Sequence, residues 1–251
     1  MPTSGMKLHD FVGCYAQYFD ILRADTPELL DEAYRLRYQV YCLEHPFEDA
    51  AEHRDGRERD ADDARSVHTL LVHRRSGAFA GTARVILPTD NGLHRPLPIH
   101  RILATHGGTA LSRLPERGTA EISRFAVSKE FRRRRGDELY ADATAPCDRP
   151  AIINERRAMP YITFGLIRGV LEICRDFRIA HICAVMEPAL IRILSRFGLE
   201  FEPIGDLIEH HGVRQPCMAR LDDVVERSRD RSTLLWQYAG GQALQPHSQA
   251  A

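Results

Sequence analysis

The sequence predicts an α/β (α+β) fold: a mixed, mostly antiparallel, twisted sheet with helices on both faces. Three observations carry this. The elements run β-α-β-β-β-α-β-α-β and end in a hairpin. The early strands are joined by short turn signals, which make antiparallel neighbours, whereas the later ones alternate with helices, as parallel crossovers require. Finally, 251 residues with 43% hydrophobic and 27% charged side chains suffice for a substantial core. Residues 1–16 read as a leader, 17–230 as one domain and 231–251 as a C-terminal tail.

Tyr18–Leu22 reads as the first strand. Asp25-Thr-Pro-Glu28 opens a helix with a capping residue, a proline in the first turn and a carboxylate at the positive end of the dipole. Apolar residues then recur at helical spacing from Leu29 to Tyr41 through Leu30, Ala33, Leu36 and Val40. Residues 44–65 are a charge-dense connection, long enough to be either functional or disordered. Ser66–His73 and Phe79–Leu87 are strands joined by a hairpin at Arg74–Ala78. Residues 88–118 are irregular with one short helix, and a strand follows at about 119–128. After a polar excursion over 129–157, Met159–Phe177 is a helix with Arg168, Glu172 and Arg175 on its polar face. Ala180–Met186 is a buried strand. Pro188–Phe197 is a helix with Gly198 as its C-cap. Glu200–Ile204 and Leu207–Leu221 are strands, the second bent at His211-Gly212, and Asp222–Arg229 is a last helix.

A net charge of −1 supplies no global attraction to nucleic acid or to a membrane surface. The six cysteines are scattered without a C-x-x-C pair. With neither a signal-peptide pattern nor an apolar run of membrane length, the expectation is a cytoplasmic protein without stable membrane insertion. There is no G-x-S-x-G, H-E-x-x-H or Walker loop. Glu209-His210-His211 reads as a surface hairpin rather than a metal site, so neither a metal nor a tightly bound cofactor is expected.

Chemistry concentrates in Glu121-Ile-Ser-Arg-Phe-Ala-Val127, a strand carrying a carboxylate, a hydroxyl and a guanidinium. Buried charges are costly unless paired or used. Upstream lie Glu58-Arg-Asp60-Ala-Asp-Asp63 and, in an apolar strand, Arg84. Glu121 reads either as a general base or as the ion-pair partner of Arg84. Arg84 and Arg124 either hold the acidic segment onto the sheet or grip a substrate carboxylate. Asp60 and Asp63 either bind an ammonium or solvate a loop. Regular alternation turns Glu121 and Arg124 to opposite faces, so both address one site only if a β-bulge lies between them.

Four features together resemble the GNAT N-acyltransferase fold, in its acyl-homoserine-lactone synthase and long-chain N-acyl amino acid synthase branch. They are Arg37-Tyr-Gln-Val-Tyr41, the acidic run Glu58–Asp63, Gly81-Thr-Ala-Arg84 with Pro88-Thr89, and the Glu121–Val127 strand. The likeness spans about residues 17–205 and is nearest to the acyltransferases associated with PEP-CTERM/exosortase sorting systems. It implies transfer of a fatty acyl group from an acyl carrier protein thioester to an amine, an amino acid for preference. Acyl-coenzyme A is a less favoured donor, because Arg132–Gly136 offers one glycine where coenzyme A enzymes have several.

The resemblance further implies a bulge in the Glu121–Val127 strand, with the backbone amides of Phe125, Ala126 and Val127 polarising the thioester carbonyl. Arg37, Asp60, Asp63, Arg84, Ser123 and Arg124 would bind substrate. Met186 and Leu194 would line an acyl channel. Arg132, Arg133, Arg134 and Arg135 are a solvated loop, a carrier-protein dock or, least favoured, a nucleic-acid patch. The family's tryptophan after the first helix is replaced by Phe47 as nearest aromatic, which points away from the homoserine-lactone amine. The alternatives are a homoserine-lactone synthase using S-adenosylmethionine and a non-catalytic carrier-protein sensor linked to protein sorting or exopolysaccharide export.

Overall fold

Thr26 caps the first helix: its hydroxyl accepts the Leu29 N–H, Pro27 follows, and α1 runs Pro27–Tyr38. A computed structural model describes residues 18–89, 95–105, 114–115, 117–131, 162–195 and 198–231. The leader, the Arg132–Arg135 run and the tail beyond Arg231 lie outside the described residues. The helical pattern predicted to Tyr41 changes pitch at Gln39, where a π-helical stretch, Gln39–Glu44, takes over. Such widened turns are uncommon and tend to mark functional sites.

The strands are β1 (Phe19–Arg23), β2 (Ser66–His73), β3 (Phe79–Ile86), β4 (Thr119–Val127), β5 (His181–Met186), β6 (Glu202–Pro203), β7 (Ile208–Glu209) and β8 (Val213–Arg220). Four further helices are α2 (Pro98–Thr105), α3 (Ile162–Asp176), α4 (Pro188–Ser195) and α5 (Leu221–Arg231). The sheet order is β1-β2-β3-β4-β5-β8-β6, with β7 paired to β8 off this path. The pairs β1–β2, β5–β8, β6–β8 and β7–β8 are antiparallel and β4–β5 is parallel, the mixed sheet expected. One end differs from expectation: Glu200–Ile204 keeps only Glu202–Pro203 as strand. Leu207–Leu221 is the expected hairpin, two strands separated by a turn in which His211 (φ 53°) and Gly212 (φ 96°) are left-handed.

The chain divides into two compact units, residues 1–58, 69–82 and 126–167 in the first and 59–68, 83–125 and 168–251 in the second. In the first, β1 pairs with β2 from Phe19↔His73 to Arg23↔Thr69. Ala33, Leu36 and Val40 of the first helical segment bury against Leu70 and Ala126, the apolar stripe that the spacing demands. Glu44 accepts the Lys129 N–H (2.9 Å), and Gln39 donates to both Glu44 (2.8 Å) and Ser128 (3.0 Å). The π-helical stretch thereby holds the residues that leave β4.

In the second unit, Ile86, Leu97, Ile99, Leu103, Leu114, Cys183 and Ile204 form the core. β5 pairs with β8 along its whole length, from His181↔Arg220 to Met186↔Gln215. Its pairing with β4 covers only Thr119–Ile122. Beyond Ile122 and Ala184 these two strands no longer share a ladder.

Candidate active site

Within the first unit, the acidic loop is stapled to α1 by two ion pairs of opposite polarity. Arg37 Nε donates to Glu58 Oε2 at 2.6 Å with both side chains buried (0% and 1% exposed). Arg57 grips Asp31 through two nitrogens. The Glu58 N–H also donates to the Tyr34 carbonyl (3.2 Å), and the Arg37 guanidinium lies over the Tyr34 ring. Arg37 is therefore no surface side chain: its nitrogen is spent on a buried carboxylate. Glu58, quoted in the motif but given no role, is that partner.

Arg84 organises the second unit's cluster. From β3 its Nη1 donates to Asp60 (2.7 Å) and Asp63 (2.9 Å), and its Nε donates to Ser123 Oγ (2.9 Å). The loop is self-braced: the Asp60 N–H donates to Asp63 (2.7 Å) and the Asp62 N–H to Asp60 (2.8 Å). The buried His68 presents Nε2 to Asp63 Oδ1 at 3.4 Å. Arg124 lies 3.4 Å from Asp60 Oδ2. Ser123 braces Arg84 while Arg124 meets the loop directly at Asp60, and Arg124 adopts a left-handed backbone (φ 50°) that interrupts the regular geometry of β4.

The cluster closes at its base and opens at its rim. Arg84 is buried, while Asp60 and Arg124 stay 30% and 23% exposed. Burial works to raise the Asp60 pKa, but the hydrogen bond and charge of Arg84, helped by Arg124, outweigh it and hold the group below the usual carboxylate range. Asp60 is therefore an anion.

Glu121 is not the ion-pair partner of Arg84, whose partners are Asp60, Asp63 and Ser123. Its Oε2 instead accepts the Ile99 N–H (2.8 Å) in the first turn of α2. Burial dominates and pushes its pKa up to about 7, against the Ile99 hydrogen bond and the Arg84 charge. Nearly all of this carboxylate is out of water, so desolvation outweighs the arginine.

Asp62, absent from the sequence-derived set, is a buried acceptor for Arg65 (2.9 Å), with Arg95 and Arg101 within 3.4 and 3.5 Å. Nothing in a run of four carboxylates shows that Asp62, like Glu58, is buried while Asp60 keeps part of its surface exposed. Phe125 and Val127 are half-buried, and the Ala126 side chain is in the first unit's core. Met186 ends β5 half-buried, and Leu194 is buried in α4. Neither is brought into the charged network. Burial raises the thiols of Cys174 and Cys217 to about 12 and that of Cys183 well above its usual value. These thiols are poor nucleophiles. Glu209, His210 and His211 are exposed at the β7–β8 turn, and no metal-binding cluster occurs among the described residues.

Residues 36–141 match the family described as "Acetyltransferase (GNAT) domain". No curated protein matches the sequence. Among solved structures, the chain resembles FeeM, an N-acyl amino acid synthase from uncultured soil microbes, at 18% identity and TM-score 0.51, covering 84% of this chain and 94% of that one. It resembles BjaI, a coenzyme A-dependent acyl-homoserine lactone synthase solved with S-adenosylmethionine and isopentyl-coenzyme A, at 21% and 0.56, covering 89% of each chain. TofI, solved with an inhibitor and MTA, aligns at 17% and 0.57 over 87% of this chain and 99% of that one. The matched segment covers less than half of the chain, and the structural likenesses show that the chain shares the fold of these synthases.

Proposed function

We propose that the protein is an N-acyltransferase that moves a fatty acyl group from an acyl carrier protein thioester onto the amine of an amino acid. The observation that carries this reading is the charged floor of the second unit: an ionised, part-exposed Asp60, fixed from beneath by buried Arg84, beside a part-exposed Arg124. An amino acid zwitterion offers the complementary pair, its ammonium to Asp60 and its carboxylate to Arg124. Asp63 and Ser123 hold Arg84 in place, and the Arg37–Glu58 pair anchors the loop that leads into Asp60.

The chemistry follows from what the groups can hold. A free α-amine has a pKa of about 7.7–8.0, so making it nucleophilic needs the removal of one weakly held proton. Glu121, near neutrality, takes that proton through water. The amine nitrogen then bonds to the thioester carbonyl carbon, and backbone N–H groups following Arg124 on β4 stabilise the oxyanion. Collapse breaks the C–S bond, the carrier thiolate leaves and takes up a proton, and an amide remains. No acyl-enzyme is needed, in keeping with the buried thiols of Cys174, Cys183 and Cys217.

Support for the carrier protein as donor is the single glycine of Arg132–Gly136 and the adjoining basic run, Arg132 to Arg135, which suits an acidic docking partner. The sequence resemblance to acyltransferases of PEP-CTERM/exosortase systems supports a role for the product in protein sorting or export. The likeness to homoserine-lactone synthases supports a second reading, in which the amine is that of S-adenosylmethionine. Incubation with palmitoyl-acyl carrier protein and either an amino acid mixture or S-adenosylmethionine, followed by mass spectrometry, separates the two. An N-acyl amino acid is expected. A lactone would favour the second reading, and stoichiometric carrier binding without any amide would favour a non-catalytic sensor.

A further inference from the structure

Beside the acceptor floor lies a second charged feature that acyl transfer as described does not use. Asp62 is buried, and three guanidiniums converge on its one carboxylate. Arg65 is locked: it donates to Asp62 (2.9 Å) and to the carbonyls of Arg95 (2.8 Å) and Pro96 (2.9 Å). Arg95 reaches Asp62 Oδ1 at 3.4 Å and Arg101 reaches Oδ2 at 3.5 Å, while 46% and 70% of their side chains stay exposed. Three positive charges against one negative charge leave a surplus of two, carried by the two exposed arginines. Both are drawn toward a single point by a carboxylate that is itself fixed, so their spacing is preorganised. The same loop ties this corner to the floor, since the Asp62 N–H donates to Asp60 Oδ1 at 2.8 Å.

We propose that Arg95 and Arg101, set by Asp62 and Arg65, form an anion subsite for a second acidic group, carboxylate or phosphate, on the acceptor amine. This rests on the acyl-acceptor reading of Asp60 and Arg124 and narrows its substrate class to acidic amino acids and phosphorylated amines. Convergence on one point suits a small anion that takes both forks at once. An acidic helix of a carrier protein presents spaced charges and would be met by a spread row of arginines.

The test uses pairs of acceptors matched except for the acid: L-aspartate against L-asparagine, and O-phospho-L-serine against L-serine, each with palmitoyl-acyl carrier protein. The acidic member of at least one pair is expected to have a kcat/KM at least tenfold higher, and the arm that wins assigns carboxylate or phosphate. In Arg95→Ala/Arg101→Ala that ratio falls toward one; a loss that merely reflected damaged folding would lower both members and leave the ratio standing. Equal use of both members in the native protein overturns the subsite but leaves the acyl-transfer reading intact. A raised KM for the carrier thioester with an unchanged ratio overturns it in favour of protein docking. Should no acceptor be acylated, the function proposed above fails, and calorimetry of the same four compounds with donor-free protein decides the subsite. Binding of the acidic members that is at least tenfold tighter and lost in the double variant upholds it, and equal or absent binding overturns it.

Discussion

Glu121 is held with its carboxylate out of water against a backbone amide, and its proton affinity follows from that placement. Its pKa is raised from 4.5 to about 7, so the folded state binds the proton more tightly than the unfolded state. The sign is fixed: this group favours folding below about pH 4.5, and the benefit is lost as pH rises toward 7. Between pH 5 and pH 8 the native protein should therefore lose stability on the order of 2–3 kcal/mol through this residue. Glu121→Gln keeps an oxygen for the Ile99 N–H but cannot ionise, so its Tm should depend less on pH over that range. If Glu121 is also the base, kcat/KM in the native protein rises through about pH 7, and the variant loses that limb. A native-like pH profile in Glu121→Gln would remove Glu121 from the proton path. Arg37 behaves differently. Its removal strands Glu58 as a buried, uncompensated charge, so Arg37→Met should cost about 3–5 kcal/mol and Arg37→Met/Glu58→Gln much less. Paired denaturant titrations of the single and double variants check the difference.

The segments that carry these residues show what the sequence could reveal and what it could not. The helix start was legible because capping and proline chemistry are local, and Thr26 supplies the oxygen. The π-helical stretch at Gln39 was not legible, since it is stabilised at long range by Gln39–Ser128 and Glu44–Lys129 contacts. The acidic loop announced its importance by composition, but the division of labour among Glu58, Asp60, Asp62 and Asp63 depends on which oxygen meets which arginine. A bulge between Glu121 and Arg124 was the condition for both to face one site; Arg124 does leave strand geometry (φ 50°), but Glu121 turns to the Ile99 N–H and Arg124 to Asp60. Gly81 of β3 shows the reverse case, a residue whose role is visible only in packing. A Cβ added there would lie 2.9 Å from Leu166 Cδ1 and 3.0 Å from the Ala126 carbonyl oxygen. Leu166 can rotate but the strand carbonyl cannot, so Gly81→Ala should displace β4 and destabilise by about 1–3 kcal/mol. Thermal melts and acyl-transfer rates should fall together in this variant.

At the level of the chain, the order of elements predicted the mixed sheet because antiparallel hairpins and helical crossovers are separately encoded in turn residues and periodicity. The loss of β4–β5 pairing after Ile122 and the division into two units left no such signature, because both arise from contacts distant in sequence. No helix among the described residues is long and apolar enough to cross a membrane. The functional account reduces to the claim that an ionised Asp60, fixed by Arg84, receives the acceptor's ammonium. Its most direct test is kcat/KM for the acceptor in the native protein and in Asp60→Asn, at saturating acyl carrier thioester. Loss of a desolvated ionic partner predicts a fall of at least about thirtyfold, with KM for the thioester within twofold of native. An unchanged acceptor kcat/KM in Asp60→Asn would contradict the account.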